Sequence, residues 1–297
     1  MTAELQSSEP GTQGMRRIAR AQIKNAVEAL GGRVISDKRV HEARKELKKA
    51  RATLRLLRPV LGRTVYAREN TTLRDAARPL SRIRDGKVLL DSLDLVMRRF
   101  GAVARAVPTD GLRRVLQRER THARKEATLL VTQRQSLQKA QERAARWAVG
   151  DHGWSVVGAG LARVYSKGRK ALRRAEKDRT PTNLHEWRKQ VKYLWHQLQA
   201  LQPLWPGPVG ELADQAHQLS GYLGDDHDLS LLRSRVLCNK ESFPAASSRG
   251  ALLALIDRLS TELRDKAVVL GRRLYEEKPS AFEARFGRYW HDWQRRR

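Results

Sequence analysis

The chain has 297 residues, and its 60 Lys and Arg residues against 32 Asp and Glu residues give a net charge of +28 at pH 7. Self-repulsion on this scale opposes a compact state unless an anion offsets it, so nucleic acid, an anionic membrane surface or an inorganic polyanion is the expected partner. The one cysteine, Cys238, excludes an intrachain disulfide and a thiolate metal cluster, and it favours a reducing compartment. Because no apolar leader or membrane-length apolar run stands in the sequence, we expect a cytoplasmic protein without membrane insertion.

The first half of the chain is predicted to be helical after a polar start. Residues 1–13 are polar and include Pro10, so we expect them to be disordered. Beyond them Ala, Leu, Arg, Lys, Glu and Gln dominate and strand alternation is lacking, which predicts an all-α fold. Breaker residues divide this half into helices at about 15–30, 37–58, 64–106 with interruptions near Pro79 and Gly86, and 112–147.

The second half repeats this pattern after a junction at 150–153. Asn183 and Glu186 stand at the spacing of a capping box and predict the start of one of its helices. Helices are expected at about 154–177, 183–202, 209–223, 225–239, 248–277 and 280–294. We therefore predict a single domain over 14–297, with one helical half at about 14–149 and the other at about 154–297.

One segment of the first half recurs in the second half. Residues 40–59 read VHEARKELKKARATLRLLRP, and residues 184–203 read LHEWRKQVKYLWHQLQALQP. Each copy is followed by a second, shorter pair of similar segments. LSRIRD at 80–85 aligns with LGDDHD at 223–228, so that Asp85 matches Asp228. Such duplication predicts a pseudo-twofold arrangement. The identical pairs of the longer segment are His41/His185, Glu42/Glu186, Arg44/Arg188, Lys45/Lys189, Lys48/Lys192, Leu54/Leu198, Leu57/Leu201 and Pro59/Pro203.

Each copy forms a cationic stripe along one face of its helix, opposite an apolar face, when residues are placed about 100° apart. In the first copy, Glu42 and Glu46 are predicted to lie to one side of the stripe. Like charges at this spacing repel each other, so the stripes favour a bound anion over an ordinary solvated helix face. The stripes contain His41, Arg44, Lys45, Lys48, Arg51 and Arg55 in the first copy, and His185, Arg188, Lys189, Lys192 and His196 in the second.

The residue types of the stripes suit phosphate. Each stripe opens with a histidine, His41 or His185, in the first turns of its helix, where exposed N–H groups and the helix dipole favour anions. Arg offers a planar fork to phosphate oxygens, and Lys offers a compact charge. We interpret each histidine as a hydrogen-bond donor to phosphate or as a residue that positions the neighbouring arginine. Asp85 and Asp228 are interpreted as carboxylates that brace the basic side chains.

The duplicated H-x-x-R-K-x-x-K helix, followed each time by an L-x-x-x-x-D segment, resembles the CHAD family, the conserved histidine α-helical domain, over about 15–293. The resemblance implies two four-helix bundles related by pseudo-twofold symmetry around a central basic cavity, and non-catalytic binding of inorganic polyphosphate, with polyphosphate granules as a candidate location. The chain resembles the stand-alone form, because it has no strand-rich segment for the triphosphate-tunnel enzyme domain that members often accompany. The family's histidines match His41 and His185, and its basic positions match Arg44, Lys45, Lys48, Arg51, Arg188, Lys189 and Lys192.

The second stripe departs from the family pattern. Trp195 stands where the first copy has Arg51, and Gln199 stands where it has Arg55, so the second stripe carries less charge. Other basic and aromatic residues have a spacing that suits inward-facing helix positions. These auxiliary candidates are Arg74, Arg78, Arg82, Arg124, Tyr165 and Arg169.

Two other functions compete with polyanion binding in a cavity. The pair His227-Asp228 suggests a metallophosphohydrolase, but the first copy has Arg84-Asp85 there, so only the Asp repeats and we predict no enzymatic activity, metal or cofactor. The alternative is a general nucleic-acid-binding protein, because any strongly cationic surface attracts DNA. A concave channel suits a thin phosphate chain better than a double helix. The sequence leaves the oligomeric state open.

Overall fold

The computed structural model describes residues 4–32, 36–125 and 131–295, without the side chains at 82–84 and 123–125. Within these ranges the chain forms helices and no strand, which confirms the all-α class. Among the described helices, none is both long and apolar enough to cross a bilayer. The helices are α1 (Gly11–Ala29), α2 (Asp37–Leu56), α3 (Arg58–Arg105), α4 (Asp110–Lys125), α5 (Val131–Ala145), α6 (Trp154–Lys177), α7 (Pro181–Leu201), α8 (Pro206–Cys238), α9 (Ala246–Leu274) and α10 (Pro279–Arg295).

The two motif helices, α2 and α7, begin in the same way. The Ser36 side chain accepts a hydrogen bond from the backbone N–H of Arg39 at 3.3 Å, and the Thr180 side chain accepts one from Asn183 at 3.3 Å. A hydroxyl at this position satisfies a backbone donor that has no partner inside the helix. The N-cap of α7 is therefore Thr180, and the predicted capping box at Asn183 and Glu186 is wrong.

The long helices α3 and α8, which follow the motif helices, are more continuous than predicted. Pro79 lies inside α3, where it removes a single backbone hydrogen bond, and the helix instead kinks at Gly62 and Gly101, whose φ angles are 69° and 47°. Gly86 is a point of close approach, since a Cβ there would lie 2.8 Å from the Cα of Arg120 on α4. Likewise, α8 continues through Gly224 without the predicted break at 223–225.

The N-terminal segment is ordered from residue 4, so the expectation of disorder over 1–13 is wrong for residues 4–13. Leu5 is only 3% exposed and packs into the core, and Glu9 forms an ion pair with Arg17. The Thr12 hydroxyl donates to the carbonyl of Gly150 at 2.8 Å, which joins α1 to the central junction. These contacts start α1 at Gly11, earlier than predicted. Residues 1–3 lie outside the described residues.

The apolar side chains form two cores, and each core draws on both halves of the chain. The larger core joins α1, α2, α5, α6, α7 and α10 with the first part of α3, the first part of α8 and the end of α9. The smaller core joins α4 with the later part of α3, the later part of α8 and the start of α9. The two halves are therefore packed together, and their pseudo-twofold relation as two four-helix bundles stays a prediction.

Helix α6 crosses the end of α2 at Gly160. A substitution at this crossing therefore tests how closely the two halves of the chain pack. A Cβ at Gly160 would lie 2.6 Å from both the Cα and the carbonyl oxygen of Leu56. Because backbone atoms cannot move aside cheaply, we expect Gly160→Ala to lower the free energy of unfolding by about 1–3 kcal/mol, measured by urea denaturation.

The matched control is Gly250→Ala in α9, where an added Cβ meets nothing within 4 Å. This variant should unfold at the same or a higher urea concentration, because Ala is the better helix former. An unchanged midpoint for Gly160→Ala would contradict the close crossing.

Candidate functional site

The motif helices α2 and α7 come from different halves of the chain and pack against each other. The buried side-chain amide of Gln197 donates to the carbonyl of Ala52 at 3.0 Å. The guanidinium carbon of Arg55 lies 3.6 Å from the ring centroid of Tyr193, which is a cation–π contact. Burial lowers the pKa of Arg55, and the tyrosine ring contact offsets part of that cost. These contacts set the two cationic stripes side by side.

A cavity of about 440 Å³ lies between α2, α7 and α8, and part of each stripe lines it, whereas His185 and Lys189 do not. The small residues Ser220, Gly221 and Gly224 of α8 leave space for a ligand beside the cations. The lining consists of His41, Arg44, Lys45 and Lys48 from α2, Arg188, Lys192, Trp195 and His196 from α7, and His217, Ser220, Gly221, Gly224, Asp225 and Asp228 from α8.

Carboxylates lie closer to the stripes than predicted. The ammonium of Lys45 lies 3.4 Å from the carboxylate of Glu42, and Lys189 pairs with Glu186 in the same way. The expectation that Glu42 lies apart from the stripe is therefore wrong. Both pairs are solvent-exposed, and exposed ion pairs of this kind contribute about 0–1 kcal/mol, so a stronger anion can displace them. Arg44 is held differently, by a hydrogen bond to the Ser81 hydroxyl of α3.

Two cations of the first stripe lie beyond the cavity. The Arg51 side chain donates to the side-chain oxygen of Asn70 at 3.2 Å. Arg55 donates to the backbone carbonyl of Arg51 at 2.6 Å while it lies over Tyr193. Neither of these arginines lines the cavity, although both lie on the same face of α2 as its lining residues.

Four of the auxiliary candidates, Arg74, Arg78, Tyr165 and Arg169, do not line the cavity. Arg78 and Arg74 each pair with Asp75 at 3.0 Å on the exposed face of α3. Tyr165 is fully buried, and its hydroxyl donates to the carbonyl of Glu277 at 3.3 Å. Arg169 donates to the carbonyl of Tyr275 at 3.1 Å, so Tyr165 and Arg169 hold α6 against the end of α9. The side chains of Arg82 and Arg124 lie outside the described residues.

The two motif histidines have different surroundings. His41 is exposed at the cavity, whereas the ring centroid of His185 lies 5.0 Å from that of His227. Burial, and then the charge of Arg188, lowers the pKa of His185 and lowers the pKa of His227 to about 4. Both imidazoles are therefore neutral at pH 7, and each can donate one hydrogen bond without adding charge.

The α8 side of the cavity was mostly missed by the sequence reasoning. His217, Ser220, Gly221, Gly224 and Asp225 occur at intervals of three and four residues, which places them on one helix face. This pattern could have been found if α8 had been predicted as one helix. Desolvation in the cavity raises the pKa of Asp225, and the neighbouring Asp228 raises it further, while Arg188 opposes both effects.

A metal site is not part of this arrangement within the described residues. No group of three or more His, Cys, Asp or Glu side chains there is positioned to hold a metal ion. The Arg and Lys side chains and the Ser220 hydroxyl of the cavity are hydrogen-bond donors that can surround several oxyanions. Each histidine that lines the cavity can donate as well, whereas His185 and His227 do not line it.

Comparison with protein-family models matches residues 17–237 of the chain to the CHAD domain. The matched range covers both motif helices and nearly all of α8, so it includes every residue that lines the cavity. None of the curated proteins matches the chain.

The lowered histidine pKa values predict how stability depends on pH. The pKa of His227 is about 4 in the folded protein against 6.5 ordinarily, so the unfolded chain binds more protons between these values. Acidification from pH 6.5 towards pH 4 should therefore lower the free energy of unfolding, by on the order of 1–2 kcal/mol for this residue. Urea denaturation at several pH values measures the effect.

The comparison variant is His227→Gln, which cannot gain a proton at this position. Its free energy of unfolding should fall less steeply over the same pH range, although burial of His196 lowers that pKa to about 3 and leaves some dependence. Equal slopes for the two proteins would contradict the assignment to His227.

Proposed function

Because the chain belongs to the CHAD domain family, we propose that it binds inorganic polyphosphate in the cavity between α2, α7 and α8 without catalysing a reaction. The family is associated with polyphosphate binding in general. The observation that supports this site is that Lys45 and Lys48 of one copy line the same cavity as Arg188 and Lys192 of the other. Because cations from both halves of the chain line one cavity, they favour a polymer that carries a negative charge on every repeating unit.

The chemistry of the cavity suits phosphate oxygens. The guanidinium groups of Arg44 and Arg188 provide planar donors, and the lysines provide charge that adapts to a flexible chain. His41 lies in the early turns of α2, where the helix dipole also favours an anion. A cavity with small residues on the α8 side has room for a thin chain of phosphates.

Two features of the duplication support binding without reaction. The cationic stripe occurs in both copies, whereas the pair His227-Asp228 has the counterpart Arg84-Asp85 in the first copy. The duplicated property is therefore affinity for an anion. We further propose that the domain extends over 14–297 as the stand-alone form, since α9 and α10 complete the two cores, and that the protein acts in the cytoplasm at polyphosphate granules.

Reversal of the α2 charges tests the site. We expect Arg44→Glu, Lys45→Glu and Lys48→Glu in one protein to weaken polyphosphate binding at least about 100-fold, because each lost charged hydrogen bond contributes about 1.5–3 kcal/mol. The affinity should also depend less steeply on salt, because fewer phosphates are neutralised. Titration calorimetry at several salt concentrations provides both quantities, and circular dichroism checks the helices.

The matched control reverses three exposed cations that do not line the cavity, Arg98, Lys139 and Arg288. It changes the net charge equally, so it should lower the affinity only slightly. If both triple variants lose the same affinity, binding depends on overall charge and the cavity is not the site.

Competition separates polyphosphate binding from general nucleic-acid binding. Duplex DNA holds its phosphates on a wide and rigid cylinder, which cannot enter a cavity between three helices. We expect long polyphosphate to displace the protein from immobilised polyphosphate, and duplex DNA at equal phosphate equivalents to displace little of it. Equal displacement at physiological salt would favour the nucleic-acid alternative.

A further inference from the structure

One wall of the cationic cavity is aromatic. The Trp195 ring is stacked on His217 of α8, with centroids 4.0 Å apart and planes 14° apart. It is also stacked on His196, with centroids 4.3 Å apart and planes 26° apart. All three rings line the cavity beside Lys192. Binding of a chain of bare phosphates requires cations and hydrogen-bond donors, but it does not require a stack of aromatic rings.

The stack replaces a cation of the repeat. Trp195 stands where the first copy has Arg51, so the second stripe carries a flat apolar surface at a position that carries charge in the first. A charge at this position would add affinity for phosphate alone. The face of the aromatic ring carries no charge, and it suits a ligand that has a flat group of its own.

The α8 side of the stack has room and a hydrogen-bond acceptor. His217 is exposed, and at Gly221, one turn along the helix, an added Cβ would meet nothing within 4 Å. A further turn along lies Asp225, which also lines the cavity and whose carboxylate forms no hydrogen bond with another described side chain. A carboxylate opposes binding of a bare phosphate chain, but it can accept a hydrogen bond from an amino group.

We propose that the cavity also takes a phosphate chain that ends in a nucleobase, so that a nucleoside polyphosphate places its phosphates on the stripes and its base against Trp195 and His217. The inference rests on the proposed function, because the phosphates occupy the same cations. Asp225 then accepts a hydrogen bond from the base. Stacking on aromatic side chains tolerates different bases, since every base has a flat face.

The stack can also be explained as packing between α7 and α8 alone. The two explanations differ in what they predict for ligands that share a triphosphate but differ in the base. Packing alone makes adenosine 5′-triphosphate and ribose 5′-triphosphate equal ligands. A base site makes the adenosine compound bind about 10-fold more tightly.

The test is displacement of labelled polyphosphate from the full chain by these two triphosphates, in the presence of a chelator to exclude divalent ions. The inference is supported if adenosine 5′-triphosphate displaces the label at about one-tenth of the concentration that ribose 5′-triphosphate needs. It is overturned if the two are equal or if neither displaces the label. Polyphosphate that fails to bind at all would overturn the proposed function as well, so the two failures are distinguishable.

Two variants locate the effect. In His217→Ala the ratio between the concentrations of ribose 5′-triphosphate and adenosine 5′-triphosphate needed for displacement should fall at least about 3-fold. This ratio compares two ligands with the same triphosphate, so a change in phosphate affinity alone would leave it unaltered. His217 is exposed, so this change should leave the fold intact; Trp195→Leu is a second variant with the same expected result. An adenosine advantage that survives both substitutions would overturn the assignment to this stack.

Discussion

The structure depends on the packing of α2 against α7, which holds like charges together around one cavity. Each cationic stripe alternates with fully buried residues of the same helix, such as Ala43, Leu47 and Val191. Burial of these apolar side chains, at about 25 cal/mol per Å², supplies the free energy that opposes repulsion between the cations. Without that core the stripes would separate. The cavity is therefore a consequence of where the apolar faces of the two repeated helices meet.

The two copies contribute unequally to this cavity. His41 is exposed there, while His185 and His227 lie together, and burial and the charge of Arg188 lower the pKa of both. The second copy also has Trp195 and Asp225 where the first copy has Arg51 and Arg82. Duplication thus provides two similar helices, and divergence of the second one adds the aromatic and acidic groups on which the proposed base site depends.

Much of the fold and one side of the cavity follow from the sequence, because helical periodicity places residues such as Arg44 and Lys48 on one face whatever surrounds the helix. The continuity of α3 through Pro79 does not follow, since packing along a long helix outweighs one lost hydrogen bond. Tyr165 and Arg169 were expected at the cavity because their positions face inward. In a large domain an inward-facing residue can lie either at the cavity or in the apolar core. Only the packing of α6 on α9 shows that these two residues lie away from the cavity.

Rigidity of the site follows from the same packing. The backbone of α2 and α7 is held by the buried apolar face of each helix, so a ligand has to order mainly the ends of long side chains. An anion bound there would also lower the repulsion among the cations that line the cavity. Ligand binding and folding are therefore linked: what binds only the folded cavity stabilises it by RT ln(1 + [L]/Kd). This stabilisation is greatest at low salt, where the cations are least screened from one another.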